Sequence, residues 1–199
     1  PWRCFGIEPV KYEKLFRIRD GVGCNCDRLN FCPHANGTHI ESRAHVYEDG
    51  ERVLESIKGL SPLLVAKLID IRSISQEIVP QEHYTAVIVR SSTVNKHMAS
   101  SNFDFTGTNP PCITVSAMRH ILAAFPNTQV LLVDLPSVDP ESDGGQLLAH
   151  KEFFSRPKTV AIVELCHIPE YIQQGTFALA LNVAPFDSDA CPCAPIIYP

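Results

Sequence analysis

The chain has 199 residues, 45% of them hydrophobic, 20% charged, with a formal net charge of -5. That length supports one substantial core, so the expectation is a single domain over residues 1–199. Scattered Lys and Arg with an acidic balance exclude a phosphate-backbone reader, and no apolar run approaches the roughly 18 to 20 residues needed to span a bilayer. Neither nucleic acid nor membrane is therefore an expected partner.

The amino end, Pro1-Trp2-Arg3-Cys4-Phe5-Gly6, lacks the apolar stretch and cleavage pattern of a signal peptide. It also begins without an initiator Met, which leaves room for a segment upstream. The amino third reads as strand-rich. Further along, apolar runs rich in β-branched residues and bounded by turn formers predict strands at Leu64 to Ile71, Tyr84 to Arg90, Gln129 to Val133, Val160 to Leu165 and Phe177 to Ala184. A helix is expected where Thr114 can cap Val115, Met118, Leu122 and Phe125, with Pro126-Asn127 stopping it. A shorter one is expected at Gln146 to Phe154, opened by Gly144-Gly145. Strands alternating with helices behind a strand-rich amino third predict a mixed α/β fold.

The chain carries eight cysteines, Cys4, Cys24, Cys26, Cys32, Cys112, Cys166, Cys191 and Cys193. Disulfide scaffolds are usually short and poor in core, which this chain is not, so reduced thiols in a cytoplasmic protein are the expectation. The Cys-x-Cys pairs do not have the spacing of zinc ribbons. Asn36-Gly37-Thr38 fits an N-glycosylation pattern, but three-residue patterns arise often by chance.

The chemistry around it is more informative. His34-Ala-Asn-Gly-Thr-His39-Ile-Glu41-Ser-Arg-Ala-His45 puts three of the eight histidines and a glutamate within a dozen residues. Imidazole and carboxylate are what a divalent metal prefers. In an extended chain His39, Glu41 and His45 share parity, so His39 and Glu41 can grip one ion with His45 reaching the same pocket. His34 has the opposite parity, which a bulge or turn at Asn36-Gly37 restores. His83, His97, His120 and His167 have no partner pattern and are not expected to be ligands. Phe103, Phe105 and Phe186 could line an apolar pocket, although core is the more ordinary role for each.

These residues resemble the signature of the bacterial kynurenine formamidase and cyclase family, His-x-Gly-Thr-His-x-Asp followed four residues later by His. Gly37-Thr38-His39 matches directly, Glu41 stands in the Asp place and His45 has the right offset. Asp134-Leu-Pro-Ser-Val-Asp139-Pro140 is similar to the family's Leu-Pro-Ser-Val-Asp-Pro segment. Ala149-His150 and Val160-Ala-Ile-Val-Glu164 then match its later His and Glu, and Phe186 to Pro192 resembles its terminal Asp-x-Ser-Pro turn. The matches run in order from about His34 to the carboxyl end.

The resemblance implies a compact α/β domain of the swivelling β/β/α type, a homodimer or homotetramer. It implies His34, His39 and Glu41 as ligands of one zinc or manganese ion, with His150 and Glu164 completing a second site that shares Glu41. His45 would be the general acid/base. The implied reaction is hydrolysis of a small amide, arylformamidase-like. Ring opening of a lactam or lactone, cyclisation, or a metal-binding protein without turnover are the alternatives. Such a site suits the reaction, because a divalent ion acidifies water and polarises a carbonyl, and a nearby His moves the proton.

The chain also departs from the pattern. Its first two histidines are five residues apart rather than four, and Glu replaces Asp; a subgroup with His-x-x-Gly-Thr-His-x-Glu carries both changes. Cys191 takes the place of Ser, where a packing thiol is more ordinary than a nucleophile. Ala194 takes the place of an Arg, which removes a fixed anchor for a carboxylate. Asp134 and Asp139 read as turn caps in the wall of the site.

Overall fold

Residues 2–74, 79–91, 94, 97 and 102–199 are described by a computed structural model. The expected strands form close to where the sequence places them: β4 (Leu64–Asp70), β5 (Ala86–Arg90), β6 (Val130–Val133), β7 (Ala161–Glu164) and β8 (Gly175–Val183). The amino third supplies β1 (Lys11–Phe16), β2 (Cys26–Asn30) and β3 (His39–Ser42), and a short α1 (Val53–Ser56) follows. The capped helix is α2 (Val115–Ala124), where Thr114 Oγ1 accepts from the Ala117 N–H at 3.1 Å. The shorter one, α3 (Leu148–Phe154), starts after Leu147, whose φ of 49° breaks the approach.

One strand lies where none was expected, β9 (Ala190–Tyr198). Pro192 and Pro195 lack ladder donors and disguise it in sequence. The ladder runs through their neighbours: the Cys193 N–H donates to Thr38 O at 3.1 Å, and the Ala184 N–H to Pro192 O at 2.9 Å.

Seven strands close a barrel in the order β3-β7-β6-β5-β4-β8-β9. The half made of β4, β5, β6 and β7 is parallel, and the other pairings are antiparallel. Parallel neighbours need crossovers, and α2 and α3 provide two of them. Ile40, Leu68, Ile88, Leu132, Val163 and Leu179 fill the barrel. Val87, Val89, Leu131, Val133 and Ile162 point outward, under Met118, Ile121 and Leu122 of α2 and Phe153 and Phe154 of α3. Burial on both faces explains why these strands read as unbroken apolar runs. Each such side chain contributes about 1.5–3 kcal/mol by leaving water.

The hairpin of β1 and β2 stands apart as its own two-stranded sheet, and only Cys26 in it is even half-buried. No helix among the described residues is long and apolar enough to cross a membrane.

Candidate metal centre

Strand pairing assembles the centre. His39 and Glu164 are direct partners across β3 and β7, and Glu41 follows His39 on the same face. Ile40 and Val163, of opposite parity, go into the barrel. Thr38 anchors the entry to β3 by donating its hydroxyl to Leu165 O at 2.6 Å. Gly37 precedes it with φ of 120°, a left-handed conformation that glycine adopts without strain. The His39 Nδ1–H donates to Gly37 O at 3.1 Å, which turns Nε2 towards Glu164 Oε2, 3.6 Å away.

His34 reaches the cluster through a turn in which the Ala35 and Asn36 N–H groups both donate to Cys32 O, as its parity requires. His45 arrives by a different route from the one read in the sequence. The extended backbone ends at Ser42, and a single helical turn over Arg43–His45 swings the imidazole back, so shared strand parity is not what places it. His45 Nε2 then lies 3.8 Å from Glu41 Oε2. From α3 comes His150, whose Nε2 is 2.7 Å from Glu41 Oε1 and 3.5 Å from Glu164 Oε1. All six residues implied by the resemblance are thus brought together.

Their grouping differs from the implied one. Potential ligand atoms converge as His34, Glu41 and His45, and separately as His39, Glu41 and Glu164. The oxygens of Glu41 are the reason: Oε2 faces His34 and His45, whereas Oε1 faces His150.

Two aspartates support the cluster. Asp139 accepts the His150 Nδ1–H at 2.6 Å and the Ala149 and His150 backbone N–H groups, capping α3 while orienting the ring. A carboxylate behind a histidine is the usual support of a metal ligand. Asp189, at the entrance to β9, contacts both His34 and His45. Sequence reasoning gave it no role, although it lies in the terminal segment already singled out. The other expected wall residue, Asp134, is buried at the end of β6 and accepts the Ser91 N–H with both oxygens, at 2.7 and 2.9 Å. Burial pushes its carboxyl up to about 7. Cys191 is buried with the barrel-filling residues and donates its thiol to Phe186 O, which gives it a packing role.

The residues present fit a divalent cation. Glu41 is fully buried, yet neither of its oxygens has an aligned hydrogen bond, and the same holds for His39 Nε2 and His150 Nε2. Four buried polar atoms without partners in one place are costly unless something satisfies them together. Within the chain, charge balance falls to protons. Burial disfavours the charged ring of His34, but Glu41 and Asp189 beside it push it up to about 9. Burial is likewise overcome at His150, raised by Glu41 and Asp139, and at Glu41, lowered chiefly by His150. His45 goes the other way, lowered because burial prevails. A divalent ion would take the place of the protons on His34 and His150.

A cleft of about 380 Å³ opens onto the cluster. His34, Glu41, His45, His150 and Glu164 form its floor, and Phe5, Ile7, Pro140 and Leu147 form apolar walls. The aromatics considered from sequence lie elsewhere: Phe105 is core, Phe103 packs on that core and Phe186 is exposed.

No family model matches the chain. It is 27% identical over 200 residues to a kynurenine formamidase of Bacillus anthracis, covering 98% of this chain and 90% of that protein. A kynurenine formamidase of Bacillus mycoides is 26% identical over 199 residues with the same coverage. The resemblance read from the motifs therefore extends along nearly the whole chain. Among solved structures, a predicted metal-dependent hydrolase from Bacillus stearothermophilus matches with a TM-score of 0.62 at 16% identity, over 94% of this chain and 86% of that one. Isatin hydrolase A from Labrenzia aggregata matches with a TM-score of 0.66 at 12% identity, over 95% and 84%. The mixed α/β barrel is the fold of these neighbours.

Proposed function

We propose that this chain is a metal-dependent amidohydrolase acting on a small amide of the aryl formamide type. The observation that carries the reading is the buried, hydrogen-bond-deficient Glu41 at the meeting point of His34, His39, His45, His150 and Glu164. His34, His39, Glu41, His150 and Glu164 would hold one or two ions, with Glu41 common to both positions. Zinc is the first choice for this nitrogen-rich set, and manganese the second.

The ion supplies Lewis acidity, making water more acidic and an amide carbonyl more electrophilic. The chain's own residues do the rest. His45 lines the cleft and is lowered below the ordinary imidazole value, so near neutral pH its ring is uncharged and able to accept a proton from attacking water. The same ring returns that proton to the departing nitrogen, as general acid/base catalysis requires. Phe5, Ile7 and Leu147 cover the reacting bond with apolar surface.

Ring opening of a lactam is the second reading. Among the described residues lining the cleft there is no Lys or Arg, and Ala194 stands in the place of the resemblance's Arg. A cyclic amide without a carboxylate suits those walls as well as a formamide does.

Elemental analysis of protein purified without added metal should give about one or two equivalents of zinc or manganese, lost in His39→Ala. Hydrolysis of a panel of formanilides and lactams should stop on chelation and return with the metal. A chain that binds metal but turns over neither class is a metal-binding relative without activity; one that binds none after reconstitution ends the reading.

The assembly is proposed to be a homodimer or homotetramer. The β1–β2 hairpin exposes Tyr12 (64%), Phe16 (49%) and Leu29 (51%), and an isolated two-stranded hairpin is marginal in water. Sedimentation velocity at micromolar concentration should show a dimer or larger, dissociated by Tyr12→Asp with Leu29→Asp; a monomeric unsubstituted chain contradicts it. All eight thiols are free, which suits a reducing compartment such as the cytoplasm.

A further inference from the structure

Asp189 is locked in place from two sides. Its backbone carbonyl accepts the Ser42 N–H at 3.0 Å, tying it to the end of β3, where Glu41 is paired with Ala190. Its Oδ1 accepts the Ser188 hydroxyl at 3.0 Å. The remaining oxygen, Oδ2, lies 2.9 Å from His34 Nε2 and 3.5 Å from His45 Nδ1. The two imidazoles lean together, with centroids 4.2 Å apart and planes at 31°.

A carboxylate oxygen accepts and cannot donate, so His34 Nε2 carries its hydrogen, and the same oxygen at 3.5 Å favours the hydrogen of His45 on Nδ1. In the metal-loaded protein, where the ion takes the place of the proton that His34 shares with Glu41, the opposite nitrogens are bare. They are His34 Nδ1, 3.2 Å from Glu41 Oε2, and His45 Nε2, 3.8 Å from the same oxygen. Both lone pairs are thereby presented to one point beside Glu41. His39 and His150 share the arrangement of His45, with Nδ1 engaged by Gly37 O and Asp139 and Nε2 turned to the cluster, so His34 alone is reversed.

We propose that Asp189 is a positioning residue that sets the tautomers of both histidines through one carboxylate oxygen, making His34 an Nδ1 ligand and His45 an Nε2 base. The roles of ligand and base, and with them the bare Nδ1 of His34, rest on the proposed function; the side on which Asp189 meets each ring rests on the contacts alone. Asp189 is neither in the lining of the cleft nor in either group of converging ligand atoms, and acts only through the rings it holds.

Two-bond ¹H–¹⁵N spectra of the histidine rings in the zinc-loaded protein test this directly. The expected result is a protonated Nε2 in His34 and a protonated Nδ1 in His45. Asp189→Asn preserves the backbone bond to Ser42 but offers the rings a donor as well as an acceptor. It should keep the zinc stoichiometry and mix the His45 tautomers. It should also lower kcat by about 10- to 100-fold while KM stays within about two-fold. A His34 protonated on Nδ1 overturns the proposal, as do unchanged spectra and kcat in Asp189→Asn. Loss of a zinc equivalent in that variant would make Asp189 a ligand and overturn it too. If the unsubstituted chain hydrolyses no amide, the proposed function fails, and the ring spectra alone decide the positioning role.

Discussion

Glu41→Gln is expected to strip the centre of its metal, lowering affinity by more than the 10- to 100-fold typical of residues that only orient ligands, and to abolish hydrolysis with it. Gln matches Glu in size, so the barrel keeps its packing around this fully buried position. What disappears is the negative charge shared by His34 and His45 through Oε2 and by His150 through Oε1. Elemental analysis and competition with a chelator measure the effect; a variant with full metal occupancy would remove Glu41 from the ligand set.

The same substitution has a signature in metal-free protein. His34 is raised in the folded state from 6.5 to about 9, chiefly by Glu41 against the opposing effect of burial. A raised histidine stabilises the fold fully below the unfolded value near 6.5, and that contribution is lost as pH climbs through about 9. Metal-free protein should therefore lose stability to denaturant between those values, and Glu41→Gln should flatten the slope. Metal affinity runs in the opposite sense. Protons on His34 compete with the ion, so affinity rises across that window.

Much of the centre was legible because it follows from strand parity. His39 and Glu41 share a face in any extended chain, and a turn was required to bring His34 to it, which forms on Cys32 O just before the expected Asn36-Gly37. His150 and Glu164 could be named only through the resemblance. Nothing local marks them, since their approach depends on the β3–β7 register and on a crossover helix over a hundred residues away in sequence. Asp139 was readable as a cap, and it is one, but its second duty towards the His150 ring needed the fold. Asp189 falls in the Asp place of the terminal turn, but its role was illegible for a related reason. It reaches the site because β9 pairs with β3, and Pro192 and Pro195 hide β9 from any reading that treats proline as a strand breaker. The barrel strands with both faces buried were plain as apolar runs; closure of the barrel through β8 and β9 was not.

His45→Ala should keep its metal and lose about 10²- to 10⁴-fold in kcat, the range general acid/base groups supply. The reasoning turns on how His45 differs from its neighbours. It is reached by a helical turn rather than held in a strand, its side chain keeps 23% exposure where His39 and His150 are buried, and it lines the cleft. Such a group meets substrate and solvent, as a proton carrier must. Burial lowers its affinity for protons, whereas His34 and His150 hold theirs more tightly, so His45 offers an uncharged imidazole near neutrality. Its ligand-like grouping with His34 and Glu41 sets up the opposing reading, and metal content separates the two. A base leaves stoichiometry untouched and removes the acid limb of the kcat profile when deleted. A ligand takes an equivalent of metal with it. Full activity in His45→Ala would exclude both roles and leave another group to carry the proton.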